Sequence, residues 1–206
     1  SLEKTMSVLT EAFPKSVWVN GVDCPVSSDF RTILKCYEIQ SGKTELSQEE
    51  LLQILLLFYQ KQKIFSEEHV DQMFWFFSCG REPSKRKFPS KIAGLNDKQP
   101  FDFEEDADLI YAGFMQQYGI DLQESDMHWW KFMILLENLG NGTRLQKVME
   151  YRTIDTGNKN LSKTEQEFYR AMQRYYGLEQ KLPPMSEKER LIEEALIHGG
   201  DVSKLL

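Results

Sequence analysis

No run of apolar residues in this sequence is long enough to cross a bilayer. The longest uncharged stretch, Leu51 to Gln60, is ten residues, against the roughly 20 that a spanning helix needs. Cysteine is scarce: Cys24, Cys36 and Cys79 are the only three among 206 residues. They form no C-x-x-C pair, and an odd count cannot close a full disulfide set, so reduced thiols are expected. There is no Gly-x-Ser-x-Gly elbow, no glycine loop to cradle phosphate and no His-Glu-x-x-His. A non-enzymatic chain is therefore expected, with no catalytic residue, no cofactor and no metal. Positive charge is in deficit, 25 Lys and Arg against 32 Asp and Glu for a net −7, which argues against a generic polyanion binder. The opening SLEKTMSVLTEAFPK mixes acids with bases and has no apolar core region, unlike a secretory signal. On these absences the chain reads as soluble and intracellular.

What is present is helical. Hydrophobic residues make up 41% and aromatics 12%, enough for a real core. The expected fold class is mainly α, a bundle of about seven to eight helices with one short N-terminal β-hairpin. The hairpin is read from SVWVNGVDCPV, where Asn20-Gly21 suits the positive φ angles of a type I′ turn and Pro25 is confined to a strand end. Ser28 or Asp29 caps a helix carrying Phe30, Ile33, Leu34 and Tyr37, with Gly42 behind it. Ser47 and Glu50 form a capping box before Leu51, Leu52, Ile54, Leu55, Leu57 and Phe58. This helix is apolar on most faces, so a central position is expected. A third helix starts at Ser66, with Val70, Met73, Phe74 and Phe77 inward.

Residues 81–101 change character. Arg81 to Pro100 holds six of the 25 basic residues, two acids and three of the seven prolines, without helical period. It reads as a connector between two helical halves, or as a loop on one domain. The division is 1–80, the basic connector 81–101, 102–180, and a C-terminal extension 181–206 with one helix opened by Ser186 and Glu189. Within 102–180 helices are expected from Asp102 to Tyr118, from His128 to Leu139 with Ser125 as cap, from Thr143 through Tyr151, and after the Ser162/Glu165 capping box.

Asp102, Glu104, Glu105, Asp106 and Asp108 place five acids in seven positions. Acids in a first helical turn answer the positive end of the helix dipole, which explains them better than a metal site shared with His128. The run His128-Trp129-Trp130-Lys131-Phe132 is the most unusual. Successive helical residues point about 100° apart, and Trp129 aligns with Phe132, Met133 and Leu136. Trp129 is thus assigned to the core and Trp130 to a half-exposed flank, where Trp130 and Lys131 are candidate partner-binding residues. Lys85, Arg86 and Lys87 are further candidates, for an acidic partner rather than nucleic acid, since Phe88 alone offers a stacking aromatic.

Asp29-Phe30-Arg31 after a hairpin, Asp102-Phe103-Glu104-Glu105-Asp106, Tyr118-Gly119-Ile120-Asp121-Leu122, His128-Trp129-Trp130-Lys131-Phe132 and Tyr151-Arg152 occur in that order. Together, over roughly Phe13 to Tyr176, they resemble the bacteriophage gene-product-fifteen family of long-tailed phages and prophages of Gram-positive bacteria. Genes of that family typically lie near tail-tube and tape-measure genes. The resemblance implies a tail-assembly role in the host cytoplasm, as a chaperone for the tape-measure protein. It implies tail proteins as contacts, the tape-measure protein first; self-association is a further expectation from the aromatic run, while the short apolar runs and the acidic balance speak against membrane and nucleic acid. The alternatives are a structural tail or connector subunit retained in the virion, and a nucleic-acid-binding phage regulator. The family carries no catalytic residues to transfer.

Overall fold

The computed structural model describes residues 7–43, 45–81, 93–96 and 98–178. Lys85, Arg86, Lys87 and the helix read after Ser186 lie outside the described residues. One antiparallel hairpin, β1 (Ser16–Val19) and β2 (Val22–Pro25), pairs Val17 with Cys24 and Val19 with Val22. Asn20 at φ +50° and Gly21 at φ +77° make the turn, the left-handed pair that matches strand twist. Seven helices follow among the described residues: α1 (Phe30–Gln40), α2 (Gln48–Phe58), α3 (Glu67–Phe77), α4 (Ala107–Tyr118), α5 (Trp129–Glu137), α6 (Arg144–Thr153) and α7 (Lys163–Tyr176). The fold is mainly α, as the periodicity predicts.

Local signals account for most helix starts. Asp29 accepts from the Arg31 backbone at α1, Ser47 and Glu50 close a reciprocal box at α2, and Ser162 and Glu165 do so at α7. Each satisfies donors that a first turn leaves without partners. At α5 the cap is not Ser125 but His128, whose ring nitrogen accepts from the Trp130 N–H. Imidazole is an uncommon cap, and the position follows from a tertiary contact described below.

β1 packs on α3, α1 on α2 and α5, α4 on α5 and α6, and α6 on α7. A single core runs from the hairpin through α6 without reaching α7: Val17, Phe30 and Ile33 belong to it together with Phe58, Phe76, Phe114, Trp129, Phe132 and Leu145. Phe30, Phe132 and Phe114 form a stacked series, with ring centroids 4.8 and 5.2 Å apart, that ties α1 through α5 to α4. Residues on both sides of 81–101 share that core. The end of the segment is itself seated: Leu95 bridges to Ile154, and the Asn96 side chain donates to the carbonyls of Arg152 and Ile154.

Three further expectations need correction. α2 is not central, because only Ile54, Leu55 and Phe58 are buried while Leu52, Leu56 and Leu57 are exposed. In α3, Phe74 is exposed and Phe76 fills the core in its place. Trp130 is not a half-exposed flank; it is 2% exposed, as deep in practice as Trp129. The reasons differ: nothing among the described residues covers the second face of α2, the inward face of α3 is set by Met73, Phe76 and Phe77, and the end of α3 covers Trp130.

Candidate functional site

The residues that stand out in the sequence converge in space at two joints. At the first, the Trp129 indole N–H donates to the Phe77 carbonyl at 3.0 Å and that of Trp130 to the Phe76 carbonyl at 2.8 Å. Those carbonyls belong to the last turn of α3, where helical acceptors lack intrahelical donors. Two adjacent indoles thus finish the end of a helix more than 50 positions away. Their rings diverge: Trp129 packs against Tyr37, Phe103 and Phe132, whereas Trp130 packs against Phe13, Trp75 and Phe76. The close approach requires Gly80, at φ +66°, since an added Cβ would stand 2.7 Å from the Trp130 ring.

His128 joins this cluster from the N-terminal side. Its Nε2 lies 2.7 Å from the Pro14 carbonyl, and its Nδ1 accepts from the Trp130 N–H at 3.0 Å. Donor on one nitrogen and acceptor on the other describes a neutral ring. Burial pulls its pKa below the ordinary histidine value, aided by the field of Lys15 and opposed by the Pro14 hydrogen bond. The backbone closes the same joint. The Phe30 N–H donates to the Met127 carbonyl and the Trp129 N–H to the Ser28 carbonyl, while the Arg31 guanidinium donates to the carbonyls of Leu122, Gln123 and Ser125.

At the second joint, Arg152 of α6 meets Asp106 ahead of α4. Two guanidinium nitrogens donate to the two carboxylate oxygens at 2.6 and 3.0 Å, with both side chains buried. Arg152 also donates to the carbonyls of Pro100 and Tyr176. Sequence reasoning assigned all five acids around Asp106 to helix-end electrostatics and missed this pair. The available signal was the Tyr-Arg dipeptide, which the resemblance singled out without a role. Asp102 does act locally, accepting from the backbones of Glu104 and Glu105.

These joints hold the fold together. Among the described residues no group of three or more His, Cys, Asp or Glu side chains is placed to hold a metal. Burial pushes the Cys36 thiol up to about 12 and that of Cys79 to about 11, away from thiolate chemistry. No helix among the described residues is long and apolar enough to cross a membrane.

What the surface offers is apolar faces. Lys131 is exposed, but its neighbour Trp130 is covered and presents no anchor. α7 has no buried residue at all. Phe168 is 48% and Tyr175 77% exposed, two turns apart on one side of that helix. Tyr151, Phe168, Tyr169, Tyr175 and Tyr176 form a chain of ring contacts between α6 and α7. A groove of about 680 Å³ runs between α1 and residues 99–107, floored by Leu34, Tyr37 and Phe103.

A family profile described as Bacteriophage Gp15 protein matches residues 9–178. No curated relative and no solved structure matches the chain. The matched span takes in the hairpin, the seven helices of the described residues and both joints, so the chain belongs to the bacteriophage Gp15 protein family and is a bacteriophage structural or morphogenesis protein.

Proposed function

We propose that this protein is a non-enzymatic tail-assembly factor that works in the host cytoplasm as a chaperone for the tape-measure protein. The observation that carries the reading is α7, a 14-residue helix with no buried side chain and with Phe168 and Tyr175 on its outer side. Apolar patches of this kind on a folded protein mark contact sites. A strip bounded by residues seven apart is roughly 10 Å long at 1.5 Å per residue, the width of one helix laid across it. An amphipathic client helix buries its stripe on such a strip in the helix-in-groove manner. The acidic remainder of the surface keeps the complex soluble, in line with the net −7.

Co-expression with the tape-measure protein and affinity capture test this. Capture of the pair is expected, together with its loss in Phe168→Glu/Tyr175→Glu, whose thermal melt stays close to that of the parent. A stoichiometric amount of the protein in purified virions, with no tape-measure complex beforehand, would instead make it a structural subunit.

A further inference from the structure

A second exposed apolar face lies on α2, away from the aromatic strip of α7. Ile54, Leu55 and Phe58 point into the core, which already satisfies the one stripe a surface helix needs. Leu52, Leu56 and Leu57 nevertheless stand 45%, 49% and 37% exposed on the other side. Gln53 and Gln60 are the exposed residues between and beyond them, and no charge interrupts the stretch from Leu51 to Gln60. Charge is instead sorted to the two ends. Glu45 and Glu49 are exposed before and at the start of the helix, Lys61 and Lys63 just after it, and none of the four has an ion-pair partner among the described residues.

We propose that this face binds the same face of a second copy of the chain, with the two α2 helices antiparallel about a two-fold axis. A two-fold interface must be self-complementary, each patch meeting its own image. A neutral leucine centre with acids at one end and bases at the other meets that condition in the antiparallel arrangement alone. With the axis near Ile54 and Leu55, Leu52 of one copy faces Leu56 and Leu57 of the other. Glu45 and Glu49 then come within reach of Lys61 and Lys63 at both ends, whereas a parallel pair would set acid against acid. Antiparallel helices also oppose their dipoles favourably. The inference does not depend on the tape-measure reading, which uses α7.

The test is sedimentation equilibrium of the full chain over a concentration series. A reversible monomer–dimer equilibrium is expected, weakened about tenfold or more by Leu56→Glu, the loss usual for an interface anchor. Because Leu56 is already exposed, the thermal melt of that variant should match the parent. Charge reversal then identifies the occupant. Glu45→Lys/Glu49→Lys and Lys61→Glu/Lys63→Glu should each be monomeric alone, and an equimolar mixture of the two should dimerise again. Combining all four reversals in one chain should also restore the dimer. A parent that stays monomeric to its solubility limit overturns the proposal, as does a dimer unaffected by Leu56→Glu. Failure of the mixture to pair would mean that the face belongs to a different protein.

Discussion

Trp129-Trp130 at the start of α5 and Tyr175-Tyr176 at the end of α7 are both adjacent aromatic pairs in helical segments, and their environments are opposite. The tryptophans are 0% and 2% exposed, and each indole N–H caps a carbonyl of α3. Tyr175 is 77% exposed, and Tyr176 lies half-buried against Tyr151. The difference is the number of neighbours. α5 is flanked by α1, α3 and α4, so two side chains 100° apart both find cover, whereas among the described elements α7 packs on α6 alone. An aromatic doublet is therefore core or surface according to how many elements surround its helix.

Stability measurements break or sharpen that comparison. The largest effect is expected for Trp129→Ala and Trp130→Ala, each costing about 3–5 kcal/mol, the usual penalty for emptying a large aromatic site. Phe168→Ser and Tyr175→Ser should stay within about 0.5 kcal/mol, as surface changes do. Chemical denaturation of all four decides it, and a mild Trp130→Ala would return that residue to the flank that periodicity suggests.

Comparable in size is the joint between α6 and the turn ahead of α4. Asp106→Ala leaves the Arg152 guanidinium buried without its carboxylate, a loss of about 3–5 kcal/mol for a broken buried pair. Replacing both residues, Asp106→Leu with Arg152→Met, should cost less than Asp106→Ala alone, because no uncompensated charge remains. If the double change costs more than Asp106→Ala, the hydrogen bonds from Arg152 to Pro100 and Tyr176, rather than the ion pair, carry the joint.

The smallest effect concerns His128. Its pKa lies below the ordinary value near 6.5 in the folded state, so the unfolded chain takes up a proton first as pH falls. Stability should therefore decline from about pH 6.5 downward, through the lowered folded value. Protonation of Nδ1 also removes the acceptor that caps Trp130. His128→Asn keeps a good cap without a titrating ring, and its melting temperature should depend less on pH over this range. Identical slopes would assign the acid sensitivity to other groups.

How far each feature was legible follows the sequence distance of its cause. The Asn20-Gly21 turn and the boxes at Ser47/Glu50 and Ser162/Glu165 act within three residues, so spacing alone revealed them. His128 as the cap of α5 was not legible, because its ring is fixed by the Pro14 carbonyl 114 positions away. The Asp106–Arg152 pair spans 46 positions. Five acids in seven positions hid which one was buried, since charge counting cannot distinguish a carboxylate in water from one facing a guanidinium.

By itself the sequence determined the hairpin, the helices, most of their caps, and the family that the motifs belong to. These rest on short-range interactions between backbone donors, side-chain acceptors and the 3.6-residue period. Only the tertiary structure decided which apolar stripes are covered. Periodicity reports that a face is apolar, but burial requires a second element to arrive on it. That element reached Trp130 and did not reach Leu52, Leu56 or the outer side of α7.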